Sequence, residues 1–190
     1  MTLQQKAVKG IAWSFIQSYG NQVITLVVFL LLARLLTPEV FGLIALANIF
    51  INFIQIFLDQ GLGEAIVQRK ELEPEHLDTA FWTNVASGAI LMSIGLLSAD
   101  LVAQFFHEPK LSSVIRWLSL SLIIGSLNVV QRALLRRNLA FKTLAIRTLI
   151  ASLVAAVVGI IMAFQGLGVW SLVGMTLTER IIGTAILWKV

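Results

Sequence analysis

The residues able to do chemistry in this chain are polar groups set inside apolar segments. Asn48, Asn52, Gln55 and Asp59 recur at i, i+4, i+7 and i+11, which places them on one face of a helix. Gln17 and Asn21 make a second face at i, i+4, extended by Ser14 and Thr25. Ser121, Gly125, Asn128 and Arg132 make a third. Amides and hydroxyls placed this way can line a wet cavity, and they can equally bridge neighbouring helices by hydrogen bonds. Both readings are open for every stripe.

Glu179 and Arg180 are adjacent opposite charges in the last apolar segment. Successive helical residues point about 100° apart, so the two need not pair with each other. The guanidinium fork of an arginine at such depth matches two oxygens of a phosphate or pyrophosphate. Arg180 is the candidate for that role, and the alternative is an ion pair locking its helix to a neighbour. Arg147 is a second candidate that can also snorkel to the headgroups. The expected substrate-contacting set is therefore Gln17, Asn21, Asn48, Asn52, Gln55, Arg147, Glu179 and Arg180.

Catalytic and metal-binding patterns do not emerge. Cysteine is missing, which removes thiolate ligands, disulfides and cysteine nucleophiles together. His76 and His107 fall in connections expected on opposite sides of a membrane, as do Asp59 and Asp100 near their segment ends. No HExxH or GxSxG is present. The expectation is a protein that is not an enzyme and uses no metal or other cofactor.

The elements that carry these residues follow from composition. Of 190 residues, 58% are hydrophobic and 13% charged, whereas a soluble domain usually carries about 25% charge. Mean hydropathy is +0.90. Such a chain suits lipid, where helices satisfy their own backbone groups. Six segments reach the roughly 20 apolar residues a span needs: about 10–36, 40–58, 79–105, 113–130, 144–164 and 169–189. The first is too long for a signal-peptide core and is read as retained. Pro74, flanked by Glu73 and Glu75, marks a helix start. Gly61 and Gly63, like Gly166 and Gly168, read as turn or cap glycines.

Charge distribution gives the orientation. With the N-terminus inside, Lys6, Lys9, Arg69, Lys70, Arg132, Arg136, Arg137, Lys142, Arg147 and Lys189 fall on the cytoplasmic side. Arg34, Lys110 and Arg116 fall outside. That excess satisfies the positive-inside rule and leaves both ends of the chain cytoplasmic. Trp13, Trp82, Trp117, Trp170 and Trp188 all lie near expected helix ends, where tryptophan favours the membrane interface. The net charge of +4 thus serves membrane topology and anionic lipid, not nucleic acid. The cluster Arg132, Arg136, Arg137 and Lys142 reads as a topology anchor, with attraction of an anionic lipid-linked substrate as a second role.

Three stretches carry a resemblance. They are Ala33-Arg34-Leu35-Leu36-Thr37-Pro38-Glu39-Val40-Phe41-Gly42-Leu43, then Asp59-Gln60-Gly61-Leu62-Gly63-Glu64-Ala65-Ile66-Val67-Gln68-Arg69-Lys70 with Leu77-Asp78-Thr79-Ala80-Phe81-Trp82-Thr83-Asn84, and Arg132-Ala133-Leu134-Leu135-Arg136-Arg137-Asn138-Leu139-Ala140-Phe141-Lys142. They resemble, in order along the chain, the polysaccharide transporter family: the Wzx-type flippases of the MATE/MurJ-like superfamily, and among them the colanic-acid exporters. The resemblance implies an all-α polytopic membrane protein, with six transmembrane helices over 1–190 forming the N-terminal lobe of a two-lobe transporter. It implies export of undecaprenyl-pyrophosphate-linked oligosaccharide for surface polysaccharide, in the inner or plasma membrane. A second lobe, from a missing C-terminal half or a partner chain, would complete the transporter. The family offers no motif that maps a substrate contact onto this sequence, so the site residues rest on the physical argument.

Three alternatives remain at this point. A cation-coupled multidrug exporter of the same superfamily would use an intramembrane acid, for which Glu179 qualifies although the first helix has none. A membrane enzyme of polysaccharide assembly would need a convergent catalytic set. A non-catalytic scaffold lobe would need a partner helix to cover the polar stripe.

Overall fold

The computed structural model describes residues 3–58, 61–68 and 73–189. Asp59 of the polar stripe, Arg69, Lys70 and the side chain of Lys6 lie outside the described residues. Eight helices follow one another: α1 (Leu3–Leu35), α2 (Pro38–Leu58), α3 (Leu62–Gln68), α4 (Pro74–Phe105), α5 (Pro109–Ser126), α6 (Val129–Arg137), α7 (Phe141–Phe164) and α8 (Val169–Leu187). Among the described residues there is no strand, so this is an all-α polytopic membrane protein.

Each apolar segment lies in helix, with one break that the apolar pattern does not show. The segment expected over 113–130 bends by 42° between α5 and α6. By length and apolarity alone, α1, α2, α4 and α7 can cross a membrane, or five spans can if the bent pair counts as one. This is fewer than the expected six. The difference lies in α8, where Glu179, Arg180 and several threonines dilute the apolar residues.

Proline sets the starts of three helices. Pro38, Pro74 and Pro109 open α2, α4 and α5, where the missing amide hydrogen costs nothing. Gly61, Gly166 and Gly168 take positive φ in the connections, a conformation that glycine adopts without a Cβ penalty.

Two packed groups meet along α8, which gives Val173 to the first and Leu172 and Met175 to the second. In the first, α2 sets Leu43, Ala47, Ile51 and Ile54 against Val114, Ile115, Leu118 and Leu122 of α5 and Ala99 and Ala103 of α4. In the second, Val28 and Leu32 of α1 meet Ala156 and Ala163 of α7. Lipid is as apolar as leucine, so close approach and interhelical hydrogen bonds hold such helices together. Glycine supplies the approach between α4 and α5. A Cβ on Gly88 would stand 2.6 Å from Ser126 Oγ, and one on Gly95 would collide with Ser119.

The tryptophans collect at two levels. Trp117 and Trp170 meet edge to face at 6.4 Å. Phe81 contacts both Trp82 and Trp188, at 5.6 and 5.9 Å. Trp170 and Trp188 bracket α8, and a helix rising 1.5 Å per residue separates them by about 27 Å. That is close to the thickness of a hydrocarbon core.

Candidate functional site

The polar residues divide by what they touch. Gln17 of α1 donates through Nε2 to Thr148 Oγ1 of α7 at 3.1 Å. One turn further along α1, Asn21 Oδ1 lies 2.6 Å from Ser152 Oγ, which is also 3.0 Å from Glu179 Oε1 of α8. A hydroxyl has one proton. Ser152 is the donor to both oxygens, so its single proton is shared between Asn21 Oδ1 and Glu179 Oε1. Gln17, Asn21 and Glu179 thus tie α1, α7 and α8 together.

Arg147 is held in the same region. Its Nε donates to the Gly183 carbonyl at 2.7 Å. A Cβ on residue 183 would stand 2.8 Å from its Nη2, so glycine there leaves room for the guanidinium. The charges of Arg132, Arg180 and Glu179 all act on it. Nearby, Asn128 Nδ2 donates to Thr184 Oγ1 at 2.8 Å, fastening the α5–α6 bend to α8.

The second-helix stripe behaves differently. Asn48, Asn52 and Gln55 each directly follow a packed residue, Ala47, Ile51 and Ile54. One residue is about 100° of rotation, so the stripe runs along the edge of the packed face. Asn52 is exposed, while Asn48 and Gln55 are half-buried. Among the described residues none of the three makes a side-chain hydrogen bond, and the Arg180 guanidinium has no hydrogen bond or ion pair. Arg180 itself is half-buried.

Gln55 opens into a cavity of about 380 Å³. Its wall also includes Gly61 just before α3, Gly63 and Glu64 of α3, Asn84 of α4, and Val129, Arg132 and Arg136 of α6. The site residues from α1 do not join this cavity, because they face α7. The cavity contains residues outside the expected substrate set, namely Glu64, Asn84, Arg132 and Arg136. The i, i+4 spacing of the two arginines is the sequence signal for their shared face. Asn84 is 1% exposed, and its position inside the α4 segment is the signal for it.

Arg116, which the charge count assigns to the outer side, pairs with Asp100 at 2.6 Å between α5 and α4.

These features define a polytopic membrane protein that threads polar and charged groups through apolar helices and, among the described residues, leaves Asn48, Asn52, Gln55 and Arg180 without side-chain partners. Residues 31–190 match the family described as "Polysaccharide biosynthesis protein", and the chain belongs to that family. It is 29% identical over its whole length to the succinoglycan biosynthesis transport protein ExoT of Rhizobium meliloti (strain 1021), covering 38% of that protein. Over 74% of the chain it is 30% identical to the lipopolysaccharide biosynthesis protein WzxC of Escherichia coli (strain K12), covering 29% of it. Over 76% of the chain it is 28% identical to the teichuronic acid biosynthesis protein TuaB of Bacillus subtilis (strain 168), covering 30% of it. The chain therefore spans well under half the length of these relatives. No solved structure matches it.

Proposed function

We propose that this chain forms one six-helix lobe of a flippase that exports undecaprenyl-pyrophosphate-linked oligosaccharide units for surface polysaccharide. The observation that carries the reading is the division among the intramembrane polar groups. Gln17, Asn21, Arg147 and Glu179 are engaged in bridges between helices. Asn48, Asn52, Gln55 and Arg180 have no such partners within the described residues. Polar groups left unsatisfied in hydrocarbon are costly, so they are explained by water, sugar or phosphate reaching them.

The lipid tail stays in the bilayer while the sugar head crosses beside α2. The amides of Asn48, Asn52 and Gln55 exchange hydrogen bonds with sugar hydroxyls and water. Arg180 offers its fork to the pyrophosphate. A second lobe, supplied by the rest of a longer chain or by a partner chain, closes the pathway, and rocking of the two lobes alternates access. The protein sits in the inner or plasma membrane with both ends of this chain cytoplasmic, following the lysine and arginine asymmetry. Support for α8 as the sixth span comes from the tryptophans at its two ends.

The test is to delete the gene in a strain with no redundant transporter and measure lipid-linked oligosaccharide in each leaflet. Accumulation on the cytoplasmic leaflet with loss of surface polymer is expected. An unchanged distribution removes the flippase reading in favour of a drug exporter or scaffold lobe.

A further inference from the structure

We infer that the elbow between α5 and α6 is a hinge, and that α6 and α3 swing about it as one unit to change the width of the cavity beside Gln55. The inference concerns a motion of this chain and does not depend on the flippase reading.

The elbow is made by a side chain, and the backbone through it stays close to helical. Leu127 has φ −63° and ψ −13°, and Asn128 has φ −102° and ψ −14°. Both are in or beside the right-handed helical region, so modest rotations separate the 42° bend from a straighter helix. The three prolines stand elsewhere, at helix starts. In a continuous helix the Asn128 amide would bond the Ile124 carbonyl, four residues back. Here the Asn128 side chain takes that carbonyl, with Nδ2 at 3.2 Å, and the backbone amide turns to Gly125 at 3.1 Å. A side chain inserted into the ladder is a known cause of a kink, and withdrawing it restores the ladder.

Opposing interactions balance the bend. Asn128 Nδ2 also donates to Thr184 Oγ1 of α8 at 2.8 Å, which latches the elbow. Against the latch stand two amide oxygens. Asn128 is 4% exposed, and its Oδ1 and the buried Oε1 of Gln131 have no hydrogen-bond partner among the described residues. Buried acceptors without donors destabilise the arrangement that buries them, so the bend is held but not locked. Movement has room, because a Cβ built on Gly125 would meet nothing within 4 Å.

Packing decides what swings. Ile66 of α3 packs with Val130 and Ala133 of α6, and Arg137 Nη1 donates to the Ile66 carbonyl at 3.2 Å. A Cβ on Gly63 would stand 3.3 Å from Val129 Cγ1, so the two backbones approach closely. α3 therefore follows α6. Leu77, Ala80 and Phe81 of α4 are only partly buried against the pair, a surface along which it can slide. α6 has 9 residues, and releasing a 42° bend carries the far end of such a helix by about 10 Å. The cavity takes Glu64 and Val67 from α3 and Ala133 and Arg136 from α6, but Gln55 and Leu58 from α2 and Asn84 from α4. A swing of the unit thus moves one part of the wall against the other.

The test uses the full chain in nanodiscs with pairs of spin labels on introduced cysteines. Asn138→Cys/Lys189→Cys spans the hinge from the end of α6 to the end of α8. Val67→Cys/Asn138→Cys lies within the swinging unit. The hinge pair is expected to show two distance populations and the internal pair one. Thr184→Val removes the acceptor on α8 and should raise the share of the second hinge population severalfold. Gln131→Met removes an unpaired oxygen at nearly constant side-chain length and should lower that share. Gln131→Met decides the question if Thr184→Val does not fold. Gln55→Cys should change its reactivity towards a bulky thiol reagent in opposite senses in the two variants. A single hinge distance in the parent and both variants overturns the hinge, as do populations that move the same way in both. An internal distance that varies with the hinge distance overturns the single unit. Reactivity of Gln55→Cys that ignores both variants overturns control of the cavity. None of these readouts involves transport, so the flippase reading can fail while the hinge stands.

Discussion

Arg147 of α7 is latched to α8 through the carbonyl of Gly183, at 2.7 Å from Nε. The contact commits the arginine to structure, and glycine at 183 is the one residue type with no Cβ to obstruct Nη2. Arg147→Ala should lower stability by about 0.5–2 kcal/mol, the range of interhelical polar contacts in membranes. Gly183→Ala should also destabilise, by pushing the guanidinium off its acceptor. Unfolding in detergent measures both, and unaltered stability in the two variants would show that the latch is idle.

Arg180 differs in kind. Arg180→Ala should abolish export while protein abundance stays normal, and Arg180→Lys should restore export in part, keeping charge but losing the fork. Surface polysaccharide and immunoblotting read the two quantities separately. Normal export by the alanine variant would end the case for pyrophosphate binding at this position.

Because the chain contains no cysteine, single cysteines report without background. Asn52→Cys and Gln55→Cys should react readily with a membrane-impermeant thiol reagent. Ser152→Cys, buried at 8% exposure between α1 and α8, should be protected. Protection of all three in an exporting variant would leave no wet path along α2.

The glycine contacts of α4 yield a stability prediction. Gly95→Leu should cost about 1–3 kcal/mol through overpacking, because its side chain enters the space of Ser119 on α5. Gly125→Leu, on a residue with nothing within 4 Å of a built Cβ, should cost much less. Thermal unfolding of the two in the same detergent gives the comparison, and equal losses would contradict the packing.

Topology is open to direct measurement. A reporter fused after Lys142 should read cytoplasmic, and one fused after Pro109 should read external. The opposite pattern would invert the lobe and carry the α6 cavity to the wrong side for a cytoplasmic substrate.

The long helices are legible in the sequence because lipid forces backbone hydrogen bonds inside each segment, which makes apolar length a nearly sufficient sign. The bend after α5 is not. No proline marks it, and it is secured by Asn128 reaching Thr184, 56 positions away. The same limit governs the site. Periodicity identifies the faces of Gln17 and Asn21 but not their neighbours, and Gln17 finds Thr148 at a separation of 131 residues. On α2 the one-residue offset between Ile54 and Gln55 can be read as a stripe. That the stripe ends in a cavity depends on α3 and α6, whose placement no local pattern specifies.

The tryptophans at the two ends of α8 act as a ruler. Their spacing of about 27 Å is anchored at one end to Trp117 and at the other to Phe81, so it cannot stretch with its surroundings. Hydrophobic mismatch therefore falls on the tilt of the lobe or on the lipid around it. Acyl-chain length becomes a control variable: a bilayer thinner than the ruler tilts the lobe, and a thicker one must thin where it meets the lobe.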